Sequence, residues 1–165
     1  MAASPELSVL MVCMGNICRS PTAEGVLRRK LAAAGLSQRV AVDSAGTHGY
    51  HVGAPPDERS QQHALRRGYD LSTQRARRLV VQDLQRFDLV LVMDEDNLQE
   101  VQGLAVEAGA PGRAAVHKLL HFAGHSRADV PDPYYSGAAG FEQVLDLVEA
   151  ACDGLVNHLA QRLRA

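Results

Sequence analysis

Cys13 and Arg19 stand six positions apart in the run Cys13-Met14-Gly15-Asn16-Ile17-Cys18-Arg19-Ser20, which joins an apolar stretch to a helix-start signal. A loop curled at such a junction can turn successive backbone N–H groups toward one point, and with the helix dipole they make a nest for a tetrahedral dianion. Phosphate is the natural guest. Arg19 adds a planar fork of donors able to grip two oxygens of that guest at once, which a lysine could not reproduce. The same positive surroundings favour the thiolate of Cys13, the form in which sulfur is a nucleophile. Gly15 lets the turn close tightly, and Asn16 is a residue type that tolerates a left-handed backbone. No Lys-Ser or Lys-Thr pair follows a second glycine, so the residues a nucleoside triphosphatase would set on Mg²⁺ and phosphates are missing.

The elements that must hold this loop can be read around it. Ser8-Val9-Leu10-Met11-Val12 is continuously apolar, as expected of a strand buried on both faces of a parallel sheet. After the turn, Ser20 suits a helix cap and Pro21 the first helical position, and Ala23, Val26, Leu27, Leu31 and Ala34 recur at helical spacing until Gly35. A second strand is expected over 39–43, a long Gly- and Pro-rich loop over 44–57, and a short helix over 58–67. Residues 89–93 form the second strongly apolar strand, followed by the acidic helix opening Asp94-Glu95-Asp96, and 115–119 a weaker last strand. Phe141, Val144, Leu145, Val148, Cys152, Leu155, Val156, Leu159 and Leu163 share one face of a helix over 141–163. The alternation implies an α/β fold: a four-stranded parallel sheet with helices on both faces and the phosphate-binding loop after the first strand. Ligands of such sheets sit beyond the carboxyl ends of the strands, where Cys13 falls.

The loop over 13–20 and the run Asp132-Pro133-Tyr134-Tyr135 resemble the low-molecular-weight protein tyrosine phosphatases. Ser44-Ala45-Gly46-Thr47, Pro55-Pro56-Asp57, Arg75-Ala76-Arg77 and Met93-Asp94-Glu95-Asp96-Asn97 are similar to that family's intervening landmarks and come in its order, so the resemblance covers nearly the whole chain. It implies a hydrolase acting on phosphotyrosine through a phosphocysteine on Cys13. Arg19 would be the phosphate clamp, and Asp132 the general acid that protonates the leaving phenolate and later activates water. Met14, Gly15, Asn16, Ile17 and Cys18 would meet the substrate. Ser20 would support the thiolate, and Asn16 and Ser44 would brace the loop. Tyr50 and Tyr134 would form aromatic walls, favouring a flat phenyl phosphate over phosphoserine. Cys18, as in similar enzymes, would pair with Cys13 under oxidant. Gln74 stands where the family often has a histidine and is expected to retune the loop rather than disable it. Ile17 replaces the threonine of related arginine phosphatases, which argues for tyrosine. No cofactor and no metal is implied. The implied partners are phosphotyrosine proteins, with a tyrosine kinase as a candidate, and the chain is expected to be a monomer with weak self-association.

Composition narrows the alternatives. The 165 residues are 46% hydrophobic and 22% charged, which fits one domain over 1–165 with 1–6 loose. A formal charge of −2 supplies no broad positive field for nucleic acid, and Arg28-Arg29, Arg66-Arg67 and Arg77-Arg78 read as solvated faces. No signal peptide or membrane span is apparent, so a cytoplasmic location is expected and a membrane is not. Three cysteines cannot build a disulfide framework, and Cys152 belongs to the apolar face of the last helix. The seven histidines lack zinc-site spacing with the cysteines. Asp94 and Asn97 read first as a helix cap and opening, and second as braces of the site; Tyr135 reads as a rim residue. Arsenate reduction would need relay cysteines downstream that are missing, and a non-catalytic phosphate-binding module would have no use for Asp132.

Overall fold

The computed structural model describes residues 4–109 and 112–164. The chain runs β1 (Leu7–Cys13), α1 (Arg19–Ala33), β2 (Val40–Gly46), α2 (Glu58–Arg66), α3 (Asp83–Arg86), β3 (Leu89–Val92), α4 (Glu95–Glu107), β4 (Ala115–Lys118), a 3₁₀ turn (Leu119–Ala123) and α5 (Ala138–Arg164). The four strands form one sheet in the order β2-β1-β3-β4, and every pairing is parallel. Of residues 1–6, 1–3 lie outside the described residues, while Glu6 is tied to Arg39 through its backbone N–H and its carboxylate.

Side-chain alternation divides the sheet into two faces. Val9, Met11, Leu89, Leu91 and Met93 point into the core made with α1, α2 and α5, whereas Leu10, Val12, Val90 and Val92 meet Leu84, Phe87 and Val101 on the other side. Both faces being covered explains why β1 and β3 read as unbroken apolar runs. The chain leaves β1 toward β2 and returns across β1 to β3, so the direction of winding reverses at β1. Loops leaving the carboxyl ends of β1 and β3 therefore part around a crevice.

Three local expectations change. Helix α1 begins at Arg19 with Cys18 at the cap position and no side-chain cap, because the Ser20 hydroxyl is engaged by Cys13 and Asn16 instead. Pro21 is then the third helical residue, where an N–H is still not required. Ala34 lies past the buried stripe of α1 and is exposed. Strand β2 continues through Ser44 to Gly46, since β1 keeps it in register as far as the Cys13–Gly46 pair; composition had placed those residues in a loop. Helix α3, four residues long, carries no periodic signal of its own. Among the described residues, no helix is long and apolar enough to cross a membrane.

Candidate active site

Cys13 is the last residue of β1, 3% exposed, at the floor of a pocket of about 190 Å³. Met14, Gly15, Ile17, Cys18, Arg19, His51, Asp132, Tyr134 and Tyr135 complete the lining. The carbonyls of Cys13, Met14, Ile17 and Cys18 accept hydrogen bonds from Thr47, His48, Asp57 and Thr22, all outside the loop. Turning these carbonyls away leaves the amides to the other side: the N–H groups of Gly15, Ile17, Cys18 and Arg19 have no acceptor among the described residues. With the uncapped start of α1 they leave a set of unpaired donors of the kind an oxyanion needs.

The sulfur has two donors of its own. Asn16 N–H lies 3.3 Å from Cys13 Sγ, and Ser20 Oγ lies 3.0 Å from it. Ser20 Oγ accepts from Asn16 Nδ2 at 2.8 Å, which leaves its hydroxyl hydrogen for the sulfur. The same Nδ2 reaches Ser44 Oγ at 2.9 Å, and Ser44 donates to Glu24 Oε1 at 2.7 Å. Asn16 Oδ1 accepts from Arg77 N–H at 3.0 Å, and Arg77 is anchored on Asp43 and Asp83. Asn16 is the one non-glycine residue with positive φ among those described, at 58°. Its side chain joins the loop to β2, α1 and the 75–79 segment, so it braces the site and does not line the pocket.

Cys18 lines the pocket without these donors. Burial pushes its thiol up to about 12, only partly opposed by a hydrogen bond with Ser60, so it stays protonated at neutral pH beside Cys13. Cys152 is fully buried on α5 and is likewise pushed up to about 12.

Arg19 is 3% exposed. Its Nη1 donates to Asp94 Oδ2 at 2.5 Å and to Val130 carbonyl at 3.1 Å, while Nη2 stands 3.8 Å from Asp132 Oδ2. Burial works against its charge, but Cys13, Asp94 and Asp132 outweigh it and hold the guanidinium above its ordinary range. Asp94 combines both roles expected of it: Oδ1 caps α4 by accepting from Asn97 N–H, and Oδ2 orients Arg19. Asp132, half-exposed across the pocket, is set by Tyr134 N–H at 3.0 Å.

Two sequence expectations change here. Tyr50 is 79% exposed, stacked on His48, and is not part of the lining, where its neighbour His51 stands instead, together with Tyr134. Gln74 does not enter the Asn16 network. Its Nε2 donates to Pro21 carbonyl at 2.9 Å in the first turn of α1, and its Oε1 is buried with no partner among the described residues. Composition alone missed Glu24, which reads as an ordinary helix-surface residue yet is buried, its carboxyl held above the usual range by that burial. It also missed the close approach at Gly46, where an added Cβ would lie 2.7 Å from Met14 carbonyl.

A family model described as low molecular weight phosphotyrosine protein phosphatase matches residues 8–165. The chain is similar to the Bacillus subtilis low molecular weight protein-tyrosine-phosphatase YfkJ, 40% identical over 151 residues that cover 91% of this chain and 94% of that one. It is 37% identical to the Homo sapiens low molecular weight phosphotyrosine protein phosphatase, over 92% of this chain and 95% of that protein. The crystal structure of YfkJ superposes with a TM-score of 0.86, covering 98% of this chain and 99% of that one. The Drosophila arginine phosphatase superposes at 0.85 with 30% identity, over 92% and 96%.

Proposed function

Since the chain belongs to the low molecular weight phosphotyrosine protein phosphatase family and is a hydrolase of that class, we propose that it cleaves phosphotyrosine in proteins through a phosphocysteine on Cys13. Cys13 Sγ attacks phosphorus while the P–O bond to the tyrosine breaks, and Asp132 gives its proton to the leaving phenolate. The loop amides and Arg19 hold the three other phosphoryl oxygens as charge moves onto them. In the second half, the Asp132 carboxylate takes a proton from water, the resulting oxygen attacks phosphorus, the S–P bond breaks, and thiolate and inorganic phosphate are released. Met14, Gly15, Ile17 and Cys18 form the floor and sides of the phosphate subsite, with Ser20 and Ser44 behind them.

The observation that carries this reading is a sulfur with two hydrogen-bond donors at the floor of an amide nest, with Arg19 beside it and Asp132 above. His51 and Tyr134 offer flat faces to a phenyl ring, and Ile17 offers no hydrogen-bonding group to a guanidinium. A cleft of about 850 Å³ continues past Met14, Arg19 and Asp132 along α4, with room for the polypeptide that bears the phosphotyrosine. Acid quenching during turnover of a phosphotyrosine peptide should trap a phosphoenzyme, and Cys13→Ser should trap none while still binding vanadate or phosphate. Phosphoserine and phosphoarginine peptides should give at most a few per cent of the phosphotyrosine rate. Turnover by Cys13→Ser equal to the parent would remove the covalent mechanism, and faster phosphoarginine turnover would reassign the substrate.

A further inference from the structure

The acid-bearing segment around Asp132 has little secondary structure, so something must hold its carboxylate over the pocket. On one side it is fixed at Val130, whose N–H donates to Met93 carbonyl at 2.7 Å and whose carbonyl accepts from Arg19. On the other side Ser136 N–H closes a turn on Pro133 carbonyl at 2.8 Å, and the carboxylate itself is met by Tyr134 N–H on Asp132 Oδ1, which holds it only as firmly as Tyr134 is held. The Tyr134 ring is 38% exposed and cannot be anchored by burial alone.

Arg59, on the first turn of α2, supplies the missing anchor. Its guanidinium carbon lies 5.4 Å from the Tyr134 ring centroid and 4.8 Å from that of Phe141, within the range of cation–π attraction to both. Phe141 is 3% exposed and stacked on His63, so it is a fixed wall at the start of α5. The guanidinium is in turn aimed by Asp57, which takes Nε at 3.2 Å and Nη2 at 3.1 Å on its two oxygens. Asp57 also caps α2 and donates its own N–H to Ile17 carbonyl at 2.7 Å, on the phosphate loop. A line of direct contacts thus runs from the loop that holds phosphate, through Asp57 and Arg59, to the residue that sets the acid.

We propose that Arg59 is a positioning residue for the general acid: by holding the Tyr134 ring it fixes the height of Asp132 over the loop. The proposal rests on the reading of Asp132 as the proton donor. Arg59 touches no reacting atom, and it acts only in steps where proton transfer matters. Its loss should therefore be felt with poor leaving groups, which need the proton as the P–O bond breaks, and hardly with good ones.

The test compares kcat/KM for phenyl phosphate and 4-nitrophenyl phosphate, two small substrates with no peptide flanks for Arg59 to bind. Arg59→Leu keeps the volume of the stem and should lose about tenfold on phenyl phosphate and less than about twofold on 4-nitrophenyl phosphate. Arg59→Lys should not rescue it, because an ammonium can neither lie flat on the ring nor bond both Asp57 oxygens; its retained charge and stem keep the experiment decisive should Arg59→Leu fold poorly. In a Tyr134→Leu background, Arg59→Leu should add little, since both act through one contact. Asp132→Ala is the reference and should show the same leaving-group discrimination, larger. Equal losses on both substrates, or full activity of Arg59→Leu and Arg59→Lys, would overturn the positioning role while Asp132→Ala still discriminates. Absence of discrimination in Asp132→Ala would instead overturn the acid assignment, and the Arg59 proposal with it.

Discussion

Asn16 is the most heavily committed side chain of the site. It holds a left-handed backbone, it is 2% exposed, and its amide meets Ser20, Ser44 and Arg77 at once. An aspartate of the same shape would offer no donor to the two hydroxyls, and alanine would take the donor from Ser20 and Ser44 and leave the Arg77 N–H without its acceptor. Asn16→Ala is therefore expected to cost about 2–4 kcal/mol of stability, from lost hydrogen bonds and from a left-handed backbone that asparagine tolerates better than alanine. It should also lower kcat/KM at least tenfold on 4-nitrophenyl phosphate, because Ser20 and Asn16 N–H would no longer be held on the sulfur. Denaturant unfolding and steady-state kinetics on the same preparation check the two effects separately. Arg19 illustrates the other kind of constraint. A guanidinium almost wholly removed from water needs a fixed counter-charge before substrate arrives, and Asp94 supplies it at 2.5 Å.

At the scale of elements, β1 sets where the Cys13 sulfur stops and β3 sets where Asp94 starts, so the sheet register brings Cys13 and the carboxylate that orients Arg19 to one edge of the sheet. The opposite flank of the sheet carries a pH-sensitive packing contact. His117 of β4, His121 of the 3₁₀ turn and His158 of α5 surround Phe122, with His117 and His121 stacked at 4.7 Å. The charged group that adds to this cluster from α5 is Arg162. Burial, and then the neighbouring positive charges, lower the pKa of His117 and of His158 below the ordinary 6.5. A histidine lowered in the folded state is neutral there while the unfolded chain already takes up a proton. Stability from these groups is thus present above about pH 6.5 and is lost as the pH falls through that value. Urea midpoints should drop between pH 7.5 and 5.5, and His117→Gln with His158→Gln should flatten that part of the profile. An unchanged slope in the double variant would assign the acid sensitivity elsewhere.

The whole molecule is closed by α5, which covers one face of the sheet and is bound to α2 by an ionic cluster. Arg67 reaches Glu142, Asp146 and Glu149, and Tyr69 donates to Glu149 at 2.6 Å. The tightest point of that closure is Gly154, where an added Cβ would collide with the backbone carbonyl of Phe122 in the 3₁₀ turn. Backbone cannot yield as a flexible side chain can, so Gly154→Ala should separate α5 from the turn at a cost of about 1–3 kcal/mol. For a chain of this size that corresponds to a fall in Tm of roughly 3–10 °C. The nearest atoms that an added Cβ would meet all belong to Phe122, which does not line the pocket, so kcat measured well below the transition should stay near the parent value. A loss of kcat at 20 °C would show that α5 seating and the site are coupled.

Local chemistry made the 13–20 loop, the two apolar strands, the long amphipathic helix and the parallel α/β plan legible in the amino-acid order. A strand–Cys–turn–Arg–helix junction and continuous apolar runs can be satisfied in few ways. Resemblance added Asp132, 113 positions beyond Arg19, which no spacing rule would have linked to it. What the order of residues left undecided were contacts between segments remote in the chain. Ser20 looked like a cap until the sulfur and Asn16 claimed its hydroxyl, Tyr50 was expected at the wall but stacks on His48 outside the lining, and nothing in the order of residues singled out Glu24 or Arg59. Each was decided by which partner lay within about 3–5 Å after the sheet assembled, and only the folded chain brings those partners together.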